Sequence, residues 1–355
     1  MSEKTWSFQA LDTLFFRGGM PFNAGEGSSR GVRSIFPPSM RTLQGAVRAA
    51  LAVGQGWKPN KELPSELGDS EGLGNLRLKG PFIRFNDSYL FPIPAVLLEG
   101  DNGILRLKPG QEVVNTDIGL VRLPEFVSKS DHPKPIDGKW ITATGLSKVL
   151  GGGMPAHTDL ISDCCLWGNE GRTGIEIDRS TRTVEEKKLY HTIHVRPKEG
   201  LCLTITVDGI PDSWHEAVPQ YISLGGESRY ASIFISDKPI DLPQTVNFPS
   251  TRKHQFTVTL LTPGVFEGDT SRVLKRGPLL NLTCITACIP KLYQEGGWDS
   301  KKKVPRPMVP IVPAGSTWFY EEEMPGSEIE NMHCTFIGTD NEYGYGQIII
   351  GKWGE

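Results

Sequence analysis

The chain has 355 residues, of which 38% are hydrophobic and 22% are charged, and its formal net charge is -3. This composition indicates a soluble globular protein with roughly two domains. We find no apolar run long enough to span a membrane and no secretory signal pattern, so we expect a cytoplasmic protein. The negative charge argues against a free-standing, nonspecific nucleic-acid binder, but it allows one basic surface.

The first predicted elements are a strand over residues 5–16 and a helix that follows Ser39. We expect the Ser39 hydroxyl to accept a hydrogen bond from the free amides of the first helical turn. Arg41, Gln44 and Arg48 share one face of this helix. The apolar residues recur at three- and four-residue intervals and form a separate stripe, Met40, Leu43, Val47 and Leu51.

The rest of the chain mixes strands with few helices. Helices are predicted over 139–150 and 214–222, and a linker is predicted over 243–252. Strands are predicted over 76–85, 89–98, 173–177, 188–196, 201–207, 231–236, 255–262, 282–289, 317–321, 334–338 and 347–350. Because strands and helices do not alternate strictly, the order favours an α+β fold. No internal repeat is visible in the sequence.

The strongest functional signal is a basic, glycine-rich segment near the start of the chain. It contains five arginines and one acidic residue, a local charge of +4: Arg17, Arg30, Arg33, Arg41 and Arg48. Glycines such as Gly18 and Gly19 let a backbone approach a ligand closely, and a guanidinium group binds phosphate through a planar fork. The segment therefore predicts a surface that binds a polyanion. The Arg41 and Arg48 face could equally be an ordinary solvated face.

Three further segments are candidates for nucleic-acid contact. Arg179 and Arg182 lie in a turn between strands, and Lys301 and Lys302 lie in a proline-containing loop after Trp298. The third segment is a C-terminal glycine loop in which an aromatic ring could stack on a base, and its candidate residues are Tyr343, Gly344 and Gly346. The alternatives are a surface turn, a flexible loop and a simple hairpin, respectively.

No catalytic motif is apparent, and we expect neither an enzyme nor a cofactor. Cys284 and Cys288 share one face of a predicted strand, so we interpret them as buried structural residues, with a zinc site completed by His191 and His194 as the alternative. The two histidines are three positions apart on a strand and should therefore lie on opposite faces.

Taken together, these landmarks resemble the family of the third subunit of the Cmr complex, the type III-B CRISPR effector, in the Cas5 branch of the RAMP superfamily. Thr13 and Met20 depart from the family pattern. The matching segments are spread over the chain at residues 10–12, 15–19, 21–22, 25–27, 36–39, 42–48, 80–82, 90–92, 174–178, 181–183, 224–229, 296–299, 312–316 and 343–346.

The resemblance implies two ferredoxin-like (RRM-like) domains with long inserted loops, over residues 1–245 and 250–355. It implies a non-catalytic RNA-binding subunit that holds the 5′ handle of the CRISPR RNA (crRNA). It also implies that the subunit bridges the large polymerase-like subunit and the backbone RAMP subunit, with no membrane partner. Arg229, in the matching segment 224–229, joins the predicted RNA-binding residues.

Two other functions remain open at this stage. The first is a RAMP endoribonuclease that processes precursor crRNA, which would need His191 or His194 as a general base beside a phosphate site. The second is a nucleotide-binding protein that uses the C-terminal glycines.

Overall fold

The computed structural model of the chain describes residues 2–18, 32–59, 61–116, 119–126, 132–177, 180–181, 183–249, 253–299 and 302–353. These residues form an α+β fold that is rich in strands. The helices are α1 (Met40–Gly54), α2 (Ala143–Leu150), α3 (Asp163–Leu166), α4 (Asp212–Glu216), α5 (Thr270–Arg276) and α6 (Gly326–Asn331).

The strands are β1 (Lys4–Ala10), β2 (Val32–Arg33), β3 (Arg77–Phe85), β4 (Ser88–Pro92), β5 (Leu97–Gly100), β6 (Gly103–Arg106), β7 (Lys108–Thr116), β8 (Gly119–Glu125), β9 (Lys134–Pro135), β10 (Lys139–Thr142), β11 (Leu160–Ser162), β12 (Trp167–Ile177), β13 (Val184–Pro197), β14 (Leu201–Asp208), β15 (Tyr221–Ser223), β16 (Tyr230–Ser236), β17 (Lys253–Leu260), β18 (Gly264–Val265), β19 (Cys284–Cys288), β20 (Tyr293–Asp299), β21 (Val304–Val312), β22 (Thr317–Glu323) and β23 (Ile348–Lys352).

The chain divides into two compact units that interleave along the sequence. The first unit comprises Met1–Asn86, Cys164–Pro239 and Glu295–Met308, and the second comprises Asp87–Asp163, Ile240–Gln294 and Val309–Glu355. The division nearest to the expected boundary at residues 245–250 falls between Pro239 and Ile240, and residues 87–163 also belong to the second unit.

In the first unit, an antiparallel sheet has the strand order β3-β14-β1-β16-β15. Along the chain its elements run β1, α1, β3, β14, α4 and β16, which is a strand-helix-strand-strand-helix-strand sequence. Helix α1 packs against β3, β15 and α4. The predicted apolar stripe of α1 is confirmed, since Met40, Leu43, Val47 and Leu51 are all buried.

The second unit repeats this arrangement. Its antiparallel sheet has the order β19-β22-β17-β23, and the elements run β17, α5, β19, β22, α6 and β23. The core of this unit lies between the sheet and the two helices, and it includes Phe256, Val258, Phe266, Val273, Trp318, Ile329 and Ile350. Each unit thus places its fourth strand beside the first and its second strand beside the third.

The two sheets also correspond residue by residue at one edge. Ala10 of β1 pairs with Ala231 of β16, and Leu260 of β17 pairs with Ile348 of β23. The next amide donates across the same edge in both units, from Leu11 to Tyr230 and from Leu261 to Gln347. The chain therefore contains a structural duplication. Residues of β1 and of the segment after it correspond to residues 250 positions later, although the sequence shows no evident repeat.

Several local predictions were wrong. Residues 139–142 form a strand, and only Ala143–Leu150 is helical. Helix α4 covers Asp212–Glu216, while Tyr221–Ser223 is an edge strand. Residues 334–338 contain one isolated bridge rather than a strand.

Ser39 also differs from its prediction. It occupies the N-cap position of α1 with an extended backbone, but its side chain makes no capping hydrogen bond. Instead its hydroxyl lies 3.5 Å from the Thr42 hydroxyl. The Ser39 carbonyl accepts the first helical bonds, from the amides of Thr42 and Leu43.

Helices in the described part of the chain are all too short or too polar to cross a membrane.

Candidate nucleic-acid interface

The segment that follows β1 is held by backbone pairing on both sides. Leu14 exchanges two backbone hydrogen bonds with Val195, at 2.8 and 2.9 Å, and the Ile35 amide donates to the Phe16 carbonyl at 2.9 Å. The side chains of Leu14 and Phe16 are buried, whereas the next residue, Arg17, is exposed. The buried side chains of Leu14 and Phe16 therefore fix the backbone of this segment, and Arg17 is exposed at the end of the segment.

Strand β2 brings a second arginine to this region. Arg33 pairs in parallel with Ile193 of β13, and the Ser34 amide donates to the Ile193 carbonyl at 2.9 Å. On its other side, Ser34 forms an antiparallel bridge with Arg17. Arg33 is exposed, as Arg17 is. Two exposed arginines that are 16 positions apart in sequence are thus on paired backbone segments.

A loop of residues 224–229, here called the first glycine loop, lies against the same segment. The Gly226 amide donates to the Phe15 carbonyl at 2.8 Å. Gly225, Glu227 and Ser228 all have positive φ angles, of 85°, 56° and 51°. Residues 226–228 are exposed. Non-glycine residues in this backbone conformation are uncommon and concentrate at functional sites. The fold therefore joins two glycine-containing segments that are about 200 residues apart.

Five charged side chains form an arginine cluster beside this loop. Asp12 contacts Arg172 and Arg196 at 3.0 Å and Arg229 at 3.3 Å. Glu170 contacts Arg172 at 2.8 Å and Arg196 at 2.6 Å. Three arginines thus face two carboxylates, which leaves one excess positive charge.

The carboxylates of the arginine cluster stay ionised. Hydrogen bonds from Arg196 and then Arg172 lower the pKa of Glu170. For Asp12, partial burial acts to raise the pKa, but the hydrogen bond from Arg172 and the charge of Arg196 outweigh it, so the pKa of Asp12 is lowered. Arg229, one of the predicted RNA-binding residues, is therefore part of an ionised network.

The two candidate base histidines lie on opposite faces of β13, as predicted. His194 is 1% exposed, stacks on Phe15 at a ring distance of 4.9 Å and contacts the Thr13 hydroxyl at 3.3 Å. Burial, followed by the charge of Arg229, lowers its pKa. His191 is exposed and contacts the Thr173 hydroxyl at 2.9 Å. His194 therefore packs the interior and cannot reach a bound RNA as a general base.

The arginines of α1 make contacts within the first unit. Arg41 lies 3.9 Å from the Glu295 carboxylate. Arg48 donates to the Asp69 carbonyl at 2.7 Å and to the Gln44 side chain at 3.2 Å. These bonds hold the helix to neighbouring segments, so Arg41 and Arg48 have structural partners that the sequence did not indicate.

An exposed aromatic ring lies near the end of β20, close in sequence to basic residues. Trp298 is 61% exposed. Lys302 donates its amide to Asp299 at 2.9 Å, and its ammonium lies 3.3 Å from Glu71. Arg306 donates to the Ser70 carbonyl at 2.8 Å. Residues 295–308, which include Trp298, belong to the first unit.

The C-terminal glycine residues support the backbone of the second unit. Gly344 and Gly346 are buried, and Tyr343 is half-buried. The Gly346 amide donates to the Pro263 carbonyl at 2.8 Å, and the Gly344 amide donates to Asn341 at 2.9 Å. Because both amides already have partners, they are not available to a phosphate.

Among the remaining predicted residues, Gly18 lies within the described part of the chain. Gly18 is half-buried, and a Cβ at this position would stand 2.8 Å from the Ile35 side chain. Gly19, Arg30, Arg179, Arg182 and Lys301 lie outside the described residues. The sequence also predicts that the loop of residues 18–31 folds over the start of α1, and residues 19–31 of this loop lie outside the described residues.

Within the described ranges, no group of three or more His, Cys, Asp or Glu side chains could hold a metal ion. Burial raises the pKa of the Cys284 thiol and that of the Cys288 thiol to about 12, which keeps both protonated. Thiolates are the form that binds zinc, so these residues fit the structural interpretation.

Sequence reasoning missed Asp12, Glu170, Arg172 and Arg196 as members of a charged surface. Asp12 lies far from the others in sequence, and only the pairing of β12 with β13 brings Glu170, Arg172 and Arg196 together. A signal was present in the alternation of Glu170 and Arg172, which places both side chains on one face of a strand.

Comparison with known proteins gives the family. The family described as "CRISPR-associated protein (Cas_Cmr3)" matches residues 6–353. A chain in the cryo-EM structure of a Type III-B Cmr-beta complex bound to cognate target RNA and AMPPnP is 17% identical, with a TM-score of 0.54, and the match covers 89% of this chain and 86% of that one.

A second chain, from the Type III-B Cmr-beta complex bound to cognate target RNA, is 16% identical with a TM-score of 0.53 and the same coverage of the two chains, 89% and 86%. At these identities the likeness shows a shared fold. No curated protein matches the chain. Since the family match spans nearly the whole sequence, the chain belongs to the Cas_Cmr3 family of CRISPR-associated proteins.

Proposed function

We propose that this chain is a non-catalytic RNA-binding subunit of a type III-B CRISPR effector complex and that it holds the 5′ handle of the crRNA. One observation carries the proposal: the first glycine loop, with its exposed residues 226–228, rests on the segment that presents Arg17. Arg33 lies on the strand paired with that segment. Exposed backbone and unburied guanidinium groups are together suited to a phosphodiester chain.

The proposal includes two ferredoxin-like domains. Its support is that both units run strand-helix-strand-strand-helix-strand and place the fourth strand beside the first. It also includes two protein partners, the large polymerase-like subunit and the backbone subunit. The similar chains belong to complexes with target RNA, which is consistent with a role in an assembly.

A role as a precursor-processing endoribonuclease finds less support. His194 is buried, and its lowered pKa reflects that burial and nearby arginines. Of the two candidate bases, only the exposed His191 could meet a substrate. Purified chain incubated with repeat RNA should therefore leave the RNA intact, and a His191→Ala variant should behave identically.

The direct test is to co-express the chain with its partner subunits, purify the assembly and sequence the RNA that it retains. The proposal predicts guide RNAs that share one 5′ handle sequence, and a handle that crosslinks to residues near Arg17. An assembly that retains this RNA equally well after the chain is omitted would overturn the proposal.

A further inference from the structure

The arginine cluster of Asp12, Glu170, Arg172, Arg196 and Arg229 includes an ion pair, Asp12–Arg229, that has no counterpart in the second unit. The duplication provides the comparison, because the second unit contains a loop at the same place, residues 337–346, here called the second glycine loop. The Thr339 amide donates to the Val265 carbonyl at 2.8 Å, as the Gly226 amide does to Phe15.

The glycines of the two loops make equivalent close approaches. A Cβ at Gly225 would stand 2.4 Å from the Phe15 carbonyl oxygen and 3.0 Å from two Phe16 ring carbons. A Cβ at Gly338 would stand 2.2 Å from the Val265 carbonyl oxygen and 3.0 Å from the same two ring carbons of Phe266.

The two loops differ in length, six residues against ten, and in the charge of the residues at equivalent positions. By the correspondence of 250 positions, Thr262 stands where Asp12 does, and Glu267 stands where Arg17 does. Arg229 corresponds to Gly346, since each carbonyl accepts from the first residue of its loop: Arg229 from Leu224, and Gly346 from Ile337. The second loop therefore makes the same first turn and the same closing hydrogen bond without the Asp12–Arg229 ion pair.

Stability is only a weak reason for the most exposed pair of the cluster, Asp12 and Arg196. The side chains of Asp12 and Arg196 are 47% and 50% exposed, and ion pairs at exposed positions contribute about 0–1 kcal/mol each. Arg172 and Arg196 each use Nε and Nη2 to bind the carboxylates. In the described part of the chain their Nη1 groups have no hydrogen-bond partner. Oriented donors on a cluster with excess positive charge suit an anionic ligand.

We propose that the arginine cluster is a phosphate-binding subsite for single-stranded RNA, in which Arg172 and Arg196 contact the phosphodiester and Asp12 is a positioning residue. The inference rests on the proposed function and extends its surface from Arg17 along β12 and β13. Asp12 and Glu170 fix one edge of each guanidinium group, so that the other edge is presented to the ligand.

The test uses the assembled complex and a synthetic RNA that carries the 5′ handle, with dissociation constants measured over a potassium chloride series. Arg172→Ala with Arg196→Ala should weaken binding roughly tenfold or more. The same variant should reduce the salt slope by about 0.7 for each phosphate that the protein no longer neutralises. Arg172→Lys with Arg196→Lys should weaken binding with little change in slope, because the charges remain but the planar forks are absent.

Arg272→Ala is the matched control, because Arg272 also pairs with a carboxylate, Asp269 at 2.7 Å, but lies in the second unit. Each variant is first compared with wild type by thermal unfolding. Unchanged affinity and slope in the double alanine variant would overturn the subsite while leaving the proposed function in place. Loss of a protein subunit with RNA affinity intact would identify a protein-docking surface and overturn the subsite too. A wild-type complex that retains no RNA would overturn both proposals.

Discussion

Gly225 lies so close to Phe15 that a Cβ at residue 225 would stand 2.4 Å from the Phe15 carbonyl oxygen. The φ angle of Gly225 is 85°, which side chains other than glycine rarely adopt. This contact packs the first glycine loop against the segment that ends at Arg17. The close approach of the loop to Phe15 therefore requires glycine at position 225.

Gly225→Ala should therefore displace the loop and destabilise the first unit by about 1–3 kcal/mol. Gly171→Ala is the matched control, because a Cβ at Gly171 meets no atom within 4 Å. Thermal unfolding of the two variants checks the prediction. Equal melting temperatures would show that the chain relaxes around the new methyl group.

Arg106 donates hydrogen bonds to three backbone carbonyls in the second unit. Its guanidinium donates to Val149 at 2.8 Å and to Gly153 and Lys352 at 2.9 Å. Arg106→Ala should destabilise the protein by roughly 2–4 kcal/mol, because the carbonyls lose their donors. Arg77→Ala, which removes an exposed arginine that also donates to carbonyls, should cost much less. Chemical denaturation distinguishes the two, and similar midpoints would contradict the assigned role.

Helix α1 contains an exposed glycine whose substitution should be stabilising. A Cβ at Gly45 meets no atom within 4 Å, and the residue is in the middle of the helix. Gly45→Ala should raise the free energy of unfolding by about 0.5–1 kcal/mol, since alanine loses less backbone entropy on folding. Circular dichroism during thermal unfolding measures this effect. A lower melting temperature would mean that the helix surface is more crowded than the structure indicates.

Stability should decrease as the pH falls below 6.5, partly through His215. Burial, followed by the charge of Lys4, lowers the pKa of His215 from its ordinary value of 6.5, and its Nδ1 accepts a hydrogen bond from Trp6 at 3.0 Å. Between pH 6.5 and the lower pKa of native His215, the unfolded chain binds more protons than the native chain. The stability that the neutral imidazole contributes above pH 6.5 is therefore lost as the pH falls toward that native pKa.

His215→Asn should make the melting temperature less dependent on pH between about 7 and 5. The dependence should not vanish, because burial also lowers the pKa of His194 and of His333. An unchanged pH profile in His215→Asn would assign the acid sensitivity to other groups.

The sequence predicted the mixed fold and the apolar stripe of α1, because spacing and composition are local signals. It could not reveal the duplication: the equivalent segments share few residues, and their likeness lies in pairing and in the φ angles of Gly225 and Gly338. The strand at 139–142 was not predicted because it continues directly into α2. The sequence pattern of the two elements together therefore indicated a single helix.

For the candidate site, local sequence pointed to Arg17 and Arg33, and both are exposed in the structure. For Arg41 and Arg48 it did not reveal the partners within the chain, Glu295 and the Asp69 carbonyl, because charge alone does not indicate such contacts. The arginine cluster depends on contacts between residues about 160 positions apart, and such contacts exist only after the chain has folded.

The central claim is that the surface around Arg17 and Arg33 holds RNA within the effector complex. The most direct measurement is the affinity of the complex for a 5′-handle RNA over a salt series, for wild type, Arg17→Ala with Arg33→Ala, and the Arg272→Ala control. We predict that the double variant alone shows weaker binding and a salt slope reduced by about 0.7 for each phosphate that it no longer neutralises. Identical affinities and slopes in all three assembled complexes would contradict the claim and place the RNA on another surface.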